Sequence, residues 1–261
     1  MGETAAASGP RRPGVGAVVL HGLTGHPRSV AGLAGAIEAA GVPTVVPLLP
    51  GHGTTVDDLE TRRWDDWVEA AEAALDEADR GEGVLAVGLS MGGSLACRLA
   101  ADHPERVRAL VVVNPFVDPP ADSFREALRE MVATGFPRAP GIGGDVADAG
   151  AEQEGAYEQL PLASVLTLSE GLDDLLVRLP RITCPLLLFT SRADHVVPPV
   201  SSDVLAERVG GPVERVWLER SFHVATLDHD REEIERRTVE FLHRVIRTGP
   251  LQAAAYDRRD G

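Results

Sequence analysis

Short continuous apolar runs alternate along the chain with longer stretches whose apolar residues recur every three or four positions. The first pattern predicts strands buried on both faces, the second amphipathic helices. Gly16–Leu20 is the first run and ends at His21-Gly22. Ser29–Ala40 follows as a helix closed by Gly41, then Pro43–Leu48 as a second short strand. Trp64–Ala78 carries Trp67, Ala71, Ala74 and Leu75 at helical spacing. Val84–Leu89 predicts the third strand, Ser90–Ala101 a helix, and the valine-rich Val107–Val113 the fourth strand. Ile182–Thr190 and Val213–Leu218 complete the strands. The last helix spans about Asp230 to Arg247, with Asp230 and Glu233 at capping-box spacing. Strands alternating with helices imply an α/β fold: a mostly parallel sheet with helical crossovers.

The stretch from about Asn114 to Pro180 breaks this rhythm. Ser123 and Glu126 stand at capping-box spacing, and Phe124, Leu128, Met131 and Val132 make one helical face. Thr134–Gly155 is rich in Gly, Pro and Ala and reads as a mobile loop. Val165, Leu168, Leu172, Leu175 and Leu179 give an amphipathic helix stopped by Pro180. Inserted between two strands, this region is expected to be a small helical cap after the fourth strand. The expected division is a core of residues 14–114 and 181–248, a cap of 115–180, and disordered tails at 1–13 and 249–261.

With 261 residues, 44% of them hydrophobic and 25% charged, one domain with a full core is available. The formal charge of −15 repels phosphate backbones and argues against nucleic-acid binding. All 25 basic residues are Arg, which excludes Schiff-base chemistry on lysine, a pyridoxal-phosphate anchor and a Walker lysine. Cys97 and Cys184 are too far apart for a zinc or redox CxxC pattern and read as two buried thiols in a reducing compartment. No apolar run reaches the roughly 20 residues of a membrane span. Residues 1–12 lack the apolar core of a secretion signal, so a cytoplasmic protein is expected.

Gly88-Leu89-Ser90-Met91-Gly92 matches the G-x-S-x-G nucleophile elbow, and it sits where that motif requires, between a predicted strand and a predicted helix. A serine nucleophile needs a base, and the base needs an orienting acid. Asp194 and His223 each follow a predicted strand, where open α/β sheets place their sites. His195 and His229 are rival bases: the first adjoins the acid, the second enters the last helix. Asp118, after the fourth strand, is the rival acid. An oxyanion hole is expected from the backbone N–H of Met91 and that of Leu23, in the loop after the first strand. Trp64 and Trp67 are expected to pack.

His21-Gly-Leu-Thr-Gly25, Pro47-Leu-Leu-Pro-Gly-His-Gly53, Asp65-Asp66-Trp67, Gly88-Leu-Ser-Met-Gly-Gly93, Asp194-His-Val-Val-Pro198 and Ser221-Phe-His-Val-Ala-Thr-Leu-Asp228 occur in that order. From about Gly16 to Ile246 the chain resembles the α/β-hydrolase superfamily, close to small bacterial carboxylesterases and monoacylglycerol-lipase-type enzymes. The resemblance implies a catalytic triad of Ser90, Asp194 and His223, His21 and His52 as buried loop histidines that hold the backbone of the site, and no metal or organic cofactor. The region before Gly16 is too short for the extra antiparallel strands of many relatives, so about six parallel strands are expected. The implied activity is hydrolysis of short- to medium-chain carboxylic monoesters through an acyl-enzyme. The alternatives are a monoacylglycerol lipase, a thioesterase, or a natural-product tailoring enzyme performing acyl transfer, C–C cleavage or lyase chemistry. The helix Val165–Leu179 and the loop before it are expected to roof the site, with Phe116, Phe136 and Leu166 lining it. The expected partner is a small ester substrate, with no nucleic acid and no membrane span; the oligomeric state is not legible.

Overall fold

Residues 14–247 are described by the structure, a computed structural model; the two expected tails lie outside the described residues. In chain order the elements are β1 (Gly14–Leu20), α1 (Ala31–Ala39), β2 (Thr44–Val45), α2 (Val56–Thr61), α3 (Trp64–Ala78), β3 (Gly81–Leu89), α4 (Met91–Asp102) and β4 (Val107–Val113). There follow α5 (Asp122–Ala133), β5 (Arg138–Pro140), β6 (Gln159–Pro161), α6 (Leu162–Arg178), β7 (Leu186–Ser191), α7 (Val200–Arg208), β8 (Val213–Leu218) and α8 (Arg231–Arg247). Six strands form one parallel sheet in the order β2-β1-β3-β4-β7-β8. This is the α/β-hydrolase architecture that the motifs imply.

Side chains alternate across a strand, so each strand feeds two cores. Val18, Leu20, Val84, Ala86, Leu110, Val112, Leu186 and Leu188 point to the side covered by α3, α4, α6 and α7. Ala17, Val19, Leu85, Val87, Ala109, Val111, Leu187 and Phe189 point to the side covered by α1 and α8. Both faces being dry is why these strands read as unbroken apolar runs. The register also sets the site. Leu20 pairs with Gly88, Leu89 with Val113, Val113 with Phe189, and Ser191 with Leu218. The loops after β1, β3, β4, β7 and β8 therefore leave the sheet side by side.

Several expectations are corrected. The second strand is only Thr44–Val45, because the chain then leaves the sheet edge and Leu49 N–H donates to His21 Nε2 at 3.2 Å. Helix α2 was not foreseen. The Ser123–Glu126 capping box does not form: α5 starts after Ala121, with no side-chain cap. Asp230 caps nothing through Glu233 either, since its N–H donates to Ser221 Oγ at 2.8 Å. The segment expected as a mobile loop contains β5, paired antiparallel with β6, and is tied down beyond it. Helix α6 does not roof the serine. Its Leu168, Leu172 and Leu175 are buried in the core beside α3 and α4, as a crossover helix between β4 and β7 requires.

Candidate active site

Ser90 stands between β3 and α4 with φ 56° and ψ −121°, a backbone conformation that a side chain adopts only when its surroundings enforce it. The enforcement comes from the flanking glycines. A Cβ on Gly88 would lie 2.1 Å from the Gly92 carbonyl oxygen, and one on Gly92 would lie 2.1 Å from the Leu20 carbonyl oxygen. Ser90 N–H donates to Val113 C=O at 3.0 Å, and Ser94 N–H returns to Ser90 C=O at 3.1 Å. The serine is thus locked at the N-terminus of α4, 7% exposed.

His223 donates Nδ1–H to Asp194 Oδ2 at 2.8 Å, which leaves its Nε2 as the basic lone pair. The two side chains are 6% and 2% exposed. The other oxygen of Asp194 accepts Val196 N–H at 2.8 Å and Val197 N–H at 2.7 Å, so the carboxylate is anchored within its own loop. Ser90, His223 and Leu23 line one cavity together with Gly22, Leu89, Ile142, Gly143, Glu154 and Val224. Met91 is the first residue of α4, whose leading N–H groups have no intrahelical acceptor and are free for an anion.

The rivals stand elsewhere. His195 donates Nδ1–H to Asp145 Oδ1 at 2.8 Å and its side chain is 58% exposed. His229 lies 3.9 Å from Asp148. Asp118 is not the carboxylate paired with His223; its N–H donates to Ser201 Oγ. Of the expected pocket residues, Phe116 is half-buried against the core, Leu166 is half-buried on α6 and Phe136 is exposed. None of the three is among the residues lining the cavity, whose cover comes from the loop between β5 and β6.

Supporting residues escaped the sequence reading. Asn114 follows β4 with φ 46°, and its Nδ2 donates to His223 C=O at 2.8 Å and to Ser191 Oγ at 2.9 Å. A lone buried amide after a valine run was its only signal. Asp228 accepts the backbone N–H groups of Ala147, Asp148, Phe222 and His229 at 2.7–2.9 Å, which holds its carboxyl below the usual range. Glu154 reaches the cavity from a loop without periodicity. Burial pushes its carboxyl up, opposed by the N–H of Gly144 at 2.8 Å and the charge of His223.

His21 and His52 lie under the loop after β1, with ring centroids 4.8 Å apart. Each bonds a carbonyl through Nδ1–H, His21 that of Gly22 and His52 those of Leu49 and Pro50. Burial holds His21 down at about 3 and His52 at about 4, so both are neutral. Trp67 packs in the core and donates Nε1–H to Pro50 C=O at 3.0 Å. No helix among the described residues is long and apolar enough to cross a membrane.

A family model described as "Serine aminopeptidase, S33" matches residues 14–230. A thermostable monoacylglycerol lipase of Bacillus sp. (strain H-257) is 38% identical over 232 residues, 87% of this chain and 90% of that one. A carboxylesterase of Bacillus subtilis (strain 168) is 23% identical over 87% of this chain and 92% of its own. Among solved structures, a metagenome-derived lipolytic enzyme from the study of LipS and LipT superposes with a TM-score of 0.83 at 34% identity, covering 89% of this chain and 95% of that one.

Proposed function

Because the chain belongs to the family described as serine aminopeptidase, S33, and its relatives are named as lipases and esterases, we propose that it is a serine carboxylic-ester hydrolase acting on short- to medium-chain monoesters. The observation that carries this reading is a strained serine sharing one cavity with a histidine that is itself paired to a buried carboxylate. Ser90 Oγ attacks the ester carbonyl as His223 Nε2 takes its proton. Asp194 holds the tautomer and stabilises the imidazolium. The oxyanion lies between the N–H groups of Leu23 and Met91. His223 then protonates the leaving alcohol and activates the water that releases the acid. No metal or organic cofactor enters these steps.

Residues 14–114 and 181–248 act as the catalytic core and 115–180 as the cap, of which the part over the serine is Ile142, Gly143 and Glu154. Two unpaired buried thiols, Cys97 and Cys184, suit a reducing compartment, and we take the enzyme to act in the cytoplasm.

A second reading, a monoacylglycerol as substrate, is favoured by Glu154. A buried carboxyl beside the serine offers a hydrogen-bond partner to the hydroxyls of a glycerol leaving group, which a simple alkyl ester lacks. The test is initial rate on p-nitrophenyl esters from acetate to palmitate, beside monoacylglycerols of matched acyl length. A maximum at short or medium chains supports the esterase reading, and a further preference for the glycerol ester supports the second. Turnover confined to aminoacyl anilides, or absent from every ester, contradicts both.

A further inference from the structure

Three loops meet at one carboxylate outside the triad. Asp145, in the insertion loop between β5 and β6, accepts at Oδ2 the backbone N–H of His223 at 3.0 Å and that of His195, the residue after Asp194, at 3.3 Å. Its Oδ1 accepts His195 Nδ1–H at 2.8 Å, and its own carbonyl accepts Val224 N–H at 3.0 Å. We propose that Asp145 is a positioning residue, a clamp that fixes the separation of the loops bearing Asp194 and His223, so that the triad is aligned only with the insertion seated.

The two loops are otherwise held at their roots and within themselves, and are joined directly by the His223–Asp194 bond whose alignment is at stake. Asn114 and Ser191 hold the Phe222 and His223 carbonyls at the root of the histidine loop. Asp194 is anchored within its own loop by Val196 and Val197. Between the backbones of the two loop tips, a single oxygen of Asp145 forms the bridge. The clamp is in turn fixed by reciprocal bonds: Asp228, five residues beyond His223, accepts Ala147 N–H and Asp148 N–H from the insertion. The His195 ring is oriented by an edge contact with Phe222, centroids 4.4 Å apart. The insertion thereby contributes to triad geometry as well as covering the serine, which couples cover and catalysis.

The clamp rests on the reading of Ser90, Asp194 and His223 as the triad, so Ser90→Ala runs alongside. Asp145→Ala removes both acceptors; a misplacement of about 1 Å remote from the chemistry can cost about 100-fold, so kcat is expected to fall about 10- to 100-fold with KM changed less than about threefold. Asp145→Asn keeps an acceptor for the backbone N–H groups and offers its amide to His195, and it is expected to stay within about threefold of wild type. His195→Ala, at an exposed position, folds and loses severalfold in kcat because the clamp loses one of its supports. In the proton NMR spectrum, the downfield resonance of the His223–Asp194 hydrogen bond shifts or broadens in Asp145→Ala and is retained in Asp145→Asn. A folded Asp145→Ala enzyme with kcat within about twofold of wild type, a loss wholly in KM, or an Asn variant as impaired as Ala overturns the clamp. Full turnover in Ser90→Ala overturns the triad reading beneath it.

Discussion

Gly92→Ala is the substitution for which the structure gives the sharpest expectation. The added Cβ would stand 2.1 Å from the Leu20 carbonyl oxygen, 2.5 Å from its carbon and 2.7 Å from the His21 carbonyl oxygen. These are backbone atoms at the end of β1, where Leu20 is paired with Gly88 of β3, so no side chain can swing away. Relief to an ordinary contact needs the start of α4 and the end of β1 to part by about 1 Å, an overpacking strain of about 1–3 kcal/mol. For a domain of this size that lowers Tm by about 2–4 °C per kcal/mol. The two proposed oxyanion donors lie on opposite sides of the same contact, Leu23 beyond β1 and Met91 at the head of α4. Parting them by about 1 Å is expected to reduce kcat about 100-fold or more, up to the 10²–10³ of losing one donor. The assay is kcat and KM on a p-nitrophenyl ester together with a thermal melt. Gly35→Ala is the control: nothing lies within 4 Å of its Cβ in α1, and it should stabilise by about 0.5–1 kcal/mol with activity unchanged. A folded Gly92→Ala enzyme with wild-type kcat would refute the elbow geometry.

Two further outcomes follow from buried titratable groups. His21 and His52 are neutral when folded, held at about 3 and about 4, whereas the unfolded chain protonates them near 6.5. Stability is therefore full above that value and falls as pH drops toward 4, by at most about 1.4 kcal/mol per pH unit for each histidine. Urea midpoints between pH 7.5 and 4.5 should fall less in His52→Asn, and parallel curves would contradict the assignment. Glu154 has the opposite sign. Burial raises its carboxyl, so the folded state retains its proton longer than the unfolded one, and stability declines as pH rises through the folded value. Glu154→Gln, still accepting Gly144 N–H, should raise Tm at pH 8 and leave it unchanged at pH 4. Equal gains at both pH values would show that charge burial is not the cause.

The sheet was legible because strands with two dry faces leave nearly continuous apolar runs, as in Val107–Val113, which carries the predicted bounds. The edge strand Val213–Leu218, only partly buried and with Glu214 and Arg215 inside it, also carries its predicted bounds. The elbow was legible because its backbone has no room for any residue but glycine on either side of Leu89-Ser90-Met91. Periodicity reported that α6 has an apolar face but not what covers it; that face is consumed by α3 and α4, which is why it leaves the site to the preceding loop. The second strand is shorter than Pro43–Leu48, only Thr44–Val45, because apolar composition does not fix where an edge strand departs from its neighbour. Asp145, Glu154 and Asp228 act through carboxylates that accept isolated backbone N–H groups across the fold. Such bonds impose no spacing on the sequence, so Thr134–Gly155 reads as a mobile loop when it is anchored at both the acid and histidine loops.

The central claim, that Ser90 is the nucleophile of an acyl-transfer reaction, is tested most directly by labelling. The enzyme is treated with a fluorophosphonate, the adduct is located by peptide mass spectrometry, and turnover of p-nitrophenyl butyrate is compared between wild type and Ser90→Ala. The expected result is a single adduct on Ser90, with turnover in the folded variant reduced at least about a thousandfold. An adduct on another residue, or a Ser90→Ala enzyme that turns over at the wild-type rate, would contradict it.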